Sequence, residues 1–372
     1  MMTSRERLMM ALKCELPDRV PISTYELSGY NSLAFENNDP SYKSLMDTIR
    51  EMTDCVCMWD PVSDATFLES AAPVEMDVEE HREGESVITR RTLHTPKGDL
   101  TQATRVIDNV HTVWELEHWC KSIEDVDKAL SIPYEPVSYN FSDYARIISE
   151  VDEHGIIMSS TADPLWLAAA LMDFASYTLW AITEQDHFVR TMDIMHERYM
   201  ENLRRMLDVQ VVDLYRICGP EYATPPYLPN ELFTRFVQPY VTEMVELIHS
   251  KGALARLHSH GRVNQALDTI VATGCDALDP VEAPPDGDIE LAEVKRRIGD
   301  RMCIFGNIQL KLLESGTPDE VEAKVRQCLS EAMAGGGYVI MPTASPISTP
   351  LSKKTETNYL RFFETALKYG QY

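Results

Sequence analysis

Leu257-His258-Ser259-His260-Gly261-Arg262 stands where a short apolar run, residues 253–258, ends and a helical pattern, 263–271, begins. A strand handing over directly to a helix is half of a βα unit, and the chain repeats that unit. Upstream, 156–160 reads as a strand followed by helices over 164–183 and 187–207, and 211–217 as a strand followed by a helix over 230–249. Downstream, 276–279, 302–305 and 338–341 are the remaining strand candidates, and a last helix spans 355–367. The helix before Tyr338 opens on a capping box, Thr317-Pro318-Asp319-Glu320. With two early extended runs, 20–25 and 55–59, the count reaches eight. That predicts an α/β fold of the (β/α)8 TIM-barrel type. The first βα turn has no phosphate-binding Gly-rich loop, which counts against a dinucleotide fold.

Around this body the reading adds an N-terminal helical extension, from the capping box Thr3-x-x-Glu6 through Leu12. It also adds an insertion over roughly 79–113, where residues 86–92 alternate, Pro96-Lys97-Gly98 turns, and 101–106 returns as an antiparallel β-hairpin. Residues 1–372 are read as a single barrel domain. A formal net charge of -25 excludes a basic footprint for nucleic acid or an anionic membrane. The most apolar stretch, 165–182, is broken by Asp173, Ser176 and Thr178 and reads as a buried helix, so no membrane span is expected. Eight scattered cysteines without a C-x-x-C pair, and no secretory signal, lead us to expect a reducing, cytoplasmic setting.

Alternation along a strand puts His258 and His260 on one face, at the end where barrel active sites lie. Two converging imidazoles can hold a transition metal; the bland alternative is that both hydrogen-bond loop backbone. Glu221, in Gly219-Pro220-Glu221-Tyr222 past the neighbouring strand, completes a His, His, carboxylate set, or else caps its own loop. Asp279 and Glu282, from the strand on the other side, read as a fourth ligand, as partners orienting a ring N–H, or as turn residues before the prolines. Tyr25, Trp59 and Tyr222 fall at the same rim, as pocket lining or as packing, and Asn307 lies at another strand end. Arg262 either grips a substrate carboxylate or pairs with a nearby acid.

Several of these motifs resemble the uroporphyrinogen decarboxylase superfamily: Thr3-Ser4-Arg5-Glu6-Arg7, Pro17-Asp18-Arg19-Val20-Pro21, Gly219-Pro220-Glu221-Tyr222, Pro239-Tyr240, His258-Ser259-His260-Gly261, Gly306-Asn307-Ile308 and Gly335-Gly336-Gly337-Tyr338. The resemblance implies a (β/α)8 barrel. True decarboxylases carry Arg-Gln-Ala-Gly-Arg after the first strand to grip substrate propionates, whereas this chain reads Glu26-Leu27-Ser28-Gly29-Tyr30. The resemblance therefore points to the zinc-dependent, corrinoid-linked methyltransferase branch. Its metal is typically held by a His-x-Cys pair and a later cysteine. Here His260 replaces the first cysteine, Pro342-Thr343-Ala344-Ser345-Pro346 lacks the second, and Glu221 is the replacement ligand expected from related demethylating enzymes.

The implied function is demethylation of a small O- or N-methyl compound, an aryl methyl ether among them, with the methyl group passed to cobalamin on a corrinoid protein. Zinc would sit on His258, His260 and Glu221, with Glu221 as ligand or proton donor and Asp279 and Glu282 behind the ligands. Tyr25, Trp59, Tyr222, Arg262 and Asn307 would contact substrate. The alternatives are a metal-assisted decarboxylase or lyase acting on a small acid, and a non-catalytic corrinoid- or tetrapyrrole-binding protein. A homodimer is among the assemblies the resemblance implies.

Overall fold

The computed structural model describes residues 2–372. The chain divides by its internal packing into two compact units. The first comprises the chain up to Asp60, Ser142–Thr161 and Val212–Tyr372; the second comprises Pro61–Phe141 and Ala162–Val211.

The first unit holds seven parallel strands in sequential order: β1 (Cys55–Met58), β2 (Gly155–Ala162), β3 (Leu214–Cys218), β4 (Leu254–Ser259), β5 (Ala277–Pro280), β6 (Cys303–Ile308) and β7 (Tyr338–Pro342). The run expected as a strand over 20–25 is not a regular strand, but it closes the ring. Pro21 O accepts from Ile340 N and Ser23 N donates to Ile340 O, both at 3.0 Å, while Ile22 O accepts from Asp54 N at 2.8 Å. Backbone groups left open at both edges of a curled sheet are thereby paired. Asp54, its side chain fully buried, anchors the closure: it accepts from Ile22 N at 2.9 Å and from Arg7 and Arg19, each at 2.7 Å.

The floor of the barrel interior is apolar. Val56, Ile156, Leu214, Ala277, Cys303 and Val339 form one cluster with Leu8, Ala11 and Leu12 of the N-terminal helix Ser4–Leu12. That helix starts where the sequence says, on a Thr3–Glu6 capping box, and its apolar face is buried against the barrel floor. Strand β2 approaches β1 so closely that a Cβ on Gly155 would lie 1.9 Å from Cys55 O. Neither backbone can yield, so Gly155→Ala is expected to cost more than ~3 kcal/mol, above the usual range for overpacking. A urea midpoint within error of the parent protein would contradict this.

In the second unit the expected hairpin is a four-stranded antiparallel sheet of Glu75–Glu83, Ser86–Thr95, Gly98–Ile107 and Trp114–Glu117, wider than 79–113. The expected 164–183 helix is two helices, Pro164–Ala169 and Phe174–Thr183, because Asp173 accepts from Ala175 N and Ser176 N and starts a new one. In the first unit, the 230–249 helix likewise divides into Asn230–Phe236 and Gln238–Ser250, with Pro239 in the first turn of the second. Among the described residues, no helix is long and apolar enough to cross a membrane.

Candidate active site at the mouth of the barrel

Above the apolar floor the interior turns ionic. Strand register sets Arg256 beside Arg216 and His258 beside Asp279. Alternation then aims Arg216, Arg256, His258 and Asp279 into the lumen, one layer above Leu214, Leu254 and Ala277. Asp279, with no exposed surface, is the hub. Its Oδ1 lies 3.0 Å from Arg256 Nε, and its Oδ2 lies 2.9 Å from His258 Nδ1 and 4.0 Å from Arg216 Nε. Burial alone would raise the Asp279 pKa, but Arg256, His258 and Arg216 hold it well below the usual carboxylate range.

An ionised Asp279 can only accept, so the His258 proton sits on Nδ1. Burial, reinforced by Arg216, lowers the His258 pKa against the pull of Asp279, and the ring is neutral. Arg216 Nη2 lies 3.1 Å from both ring nitrogens of His258, Nδ1 and Nε2. His260 repeats the arrangement: Nδ1 lies 3.2 Å from Glu282 Oε1, and Glu282 Oε2 accepts from Gly261 N at 2.9 Å. For His260 burial opposes the charged form, yet Glu282 wins and the pKa rises. The two rings meet edge to face, centroids 4.7 Å apart.

Arg216 was not singled out from sequence, yet it is the most connected group of the site. Its Nη1 donates to Glu26 Oε1 at 2.8 Å, its Nη2 donates to the Tyr25 hydroxyl, and its guanidinium carbon lies 4.9 Å from the Tyr25 ring centroid. Tyr25 reaches this position with a backbone φ of +61°, a left-handed conformation that costs a non-glycine residue about 1–3 kcal/mol. Val281, between Asp279 and Glu282, has a φ of +53°, a stronger outlier for a β-branched residue. The available signal for both arginines was a charged residue inside an apolar strand, in Leu214-Tyr215-Arg216-Ile217 and Leu254-Ala255-Arg256-Leu257.

The other expected residues lie as follows. Glu221 sits on the turn Pro220–Ala223, and its Oε2 accepts from Gly219 N at 2.9 Å. Trp59 is buried, its indole N–H 3.3 Å from Asp143 Oδ2. Asn307 is fully buried and donates to Val281 O at 2.8 Å, tying β6 to the end of β5. Tyr222 is half-buried, and Arg262 is exposed with its backbone N–H donating to Pro225 O. Ser345, in the segment where the resemblance expected a cysteine, accepts from Glu26 N at 3.1 Å.

A carboxylate on each Nδ1 leaves each Nε2 as the ligating atom, the usual arrangement behind metal-bound histidine. The two rings therefore fit a metal as a pair. The third ligand does not stand with them: among the described residues no three His, Cys, Asp or Glu side chains gather closely enough to hold an ion. Glu221 would have to leave Gly219 to join, and Arg216 would have to yield at His258 Nε2.

Residues 104–354 match the family described as uroporphyrinogen decarboxylase (URO-D). Uroporphyrinogen decarboxylase of Pseudoalteromonas translucida (strain TAC 125) is 21% identical over 234 residues, 60% of this chain and 64% of its own. That of Chlorobium phaeovibrioides (strain DSM 265 / 1930) is 28% identical over 134 residues, 33% of this chain and 36% of its own. The chain thus spans less than two thirds of the length of these curated relatives. Among solved structures, a methyltransferase from Methanosarcina mazei superposes with a TM-score of 0.61 at 16% identity, covering 99% of both chains. That likeness shows a shared fold.

Proposed function

Because the chain belongs to the uroporphyrinogen decarboxylase (URO-D) family, we propose that it is a metal-dependent methyltransferase of that family. It demethylates a small O- or N-methyl compound and passes the methyl group to a corrinoid protein. The observation that carries this reading is the pair His258 and His260, each fixed at Nδ1 by a carboxylate with Nε2 left to ligate. The first loop supports it, since Glu26-Leu27-Ser28-Gly29-Tyr30 offers no arginine for propionates.

In this reading His258 and His260 would hold zinc, with Glu221 as a third ligand once it released Gly219 N, and the metal would supply Lewis-acid polarisation of the ether or hydroxyl oxygen. Asp279 and Glu282 keep the imidazoles in one tautomer and orientation. Loss of the methyl group to a nucleophile leaves an alkoxide or phenoxide, and each tenfold in rate requires lowering the barrier by about 1.4 kcal/mol. Glu221, held on its own turn by Gly219 N, would ligate or hand over a proton only after releasing that contact. Tyr25, Trp59 and Tyr222 supply aromatic surface, and the Tyr25 phenol stays protonated because burial pushes its pKa up.

Incubation with cob(I)alamin and a panel of aryl methyl ethers, alkyl methyl ethers and methylamines tests the reading. Methylcobalamin, read by its absorbance, is expected from at least one donor; its absence with every donor would remove the methyl-transfer assignment. The second reading, metal-assisted decarboxylation of a small acid, is favoured by Arg216 beside His258. It would be seen as release of carbon dioxide without methyl transfer.

A further inference from the structure

Inside the barrel two guanidinium groups, on Arg216 and Arg256, are all but buried, with side chains 5% and 2% exposed. One carboxylate, Asp279, is fully buried with them, and it is already shared between Arg256 and the His258 N–H. Arg216 touches Asp279 only at 4.0 Å, and its Nε has no hydrogen-bond partner. Its remaining close contacts, the Tyr25 hydroxyl, the Tyr25 ring and His258, are neutral. The charge of Arg216 is therefore balanced by two carboxylates, Asp279 at longer range and Glu26 in direct contact at 2.8 Å, and Glu26 is the one that hydrogen-bonds it.

Glu26 differs from the rest of the cluster. Its side chain is 45% exposed, and it follows Tyr25 on the loop beyond the closing stave. The loop is held by its backbone, through Glu26 N to Ser345 Oγ, so the carboxylate can swing out while the loop stays in place. An ion pair with one partner half in water is weak. A buried guanidinium that loses its one hydrogen-bonded carboxylate is costly, so departure of Glu26 is favoured only when another anion takes its place.

We propose that Glu26 is a displaceable counter-ion on Arg216, and that the barrel mouth binds a small organic carboxylate whose oxygens replace those of Glu26 on Arg216. The Tyr25 ring beside the guanidinium offers an apolar surface to the body of such a ligand. This deepens the methyl-transfer reading by making the substrate a methylated acid, but the binding step itself is independent of that reading.

The test is calorimetric titration of the full-length protein with acetate and benzoate, with acetamide and benzamide as neutral counterparts, without corrinoid or methyl donor. Glu26→Gln should tighten binding of an acid by about tenfold, the range of one charge-assisted contact, and leave the amides unchanged. Arg216→Met should abolish acid binding, with Arg216→Lys retaining part of it. If Arg216→Met fails to fold, the Glu26→Gln comparison and benzoate-dependent melting of that variant still decide the matter. No tightening with either acid, or equal tightening with the amides, overturns the proposal. Methyl transfer is not read, so its failure and the failure of acid binding are separate results.

Discussion

Asparagine in place of Asp279 is expected to destabilise the protein by about 3–5 kcal/mol, the cost of removing one partner from a buried ion pair. The substitution keeps the size of the side chain and removes its charge. Arg256 would then lie fully buried over the Phe305 ring, 4.9 Å away, with no carboxylate, and Arg216 would keep only half-exposed Glu26. The His258 N–H would also lose its ionised acceptor. Urea denaturation measures the effect directly, and a midpoint equal to that of the parent protein would show that the cluster does not hold the barrel together. The pH dependence has a definite sign. Since the folded pKa of Asp279 lies below its unfolded value, its contribution is fully present above the unfolded carboxyl pKa of about 4 and is lost as pH falls through the folded one. The contribution of Asp279 ionisation to the gap between parent and variant should therefore hold from neutral pH to about 4 and be lost only below that.

If the proposed metal site is right, loss of either imidazole should abolish zinc binding. His258→Ala and His260→Ala are each expected to lose stoichiometric zinc and at least about a thousandfold in methyl transfer, equivalent to roughly 4 kcal/mol of barrier. Glu282→Gln should be milder, lowering metal affinity by about 10–100-fold, because it only loosens the His260 ring held at 3.2 Å. Elemental analysis after dialysis against a weak chelator reads all three. Full metal content and turnover in either alanine variant would end the metal assignment. Retention of zinc by Glu221→Ala, with loss in both histidine variants, would move the third ligand elsewhere.

Much of the architecture was legible because its signals are local. Capping boxes at Thr3 and Thr317 act within one helical turn, and both stand where they were read. Short apolar strands before helices gave the βα order. The helix breaks at Asp173 and Val237 were missed because the apolar pattern runs through them, while a competing N-cap or an early proline starts a new helix. The stave over Pro21–Ser23 was legible as extended chain, but its role in closing the ring depends on backbone partners at Asp54 and Ile340.

The chain order of residues by itself determined the barrel class, the strand end that carries His258 and His260, and their common face, since periodicity and capping act over a few residues. Tertiary structure alone decided the company those rings keep. Asp279 meets His258, and Arg216 meets both His258 and Glu26, across separations of 21, 42 and 190 residues. Such meetings are set by the register between parallel strands and by a loop folding over the barrel mouth. Buried charges must find partners wherever the closed sheet brings them, and no local pattern encodes that pairing.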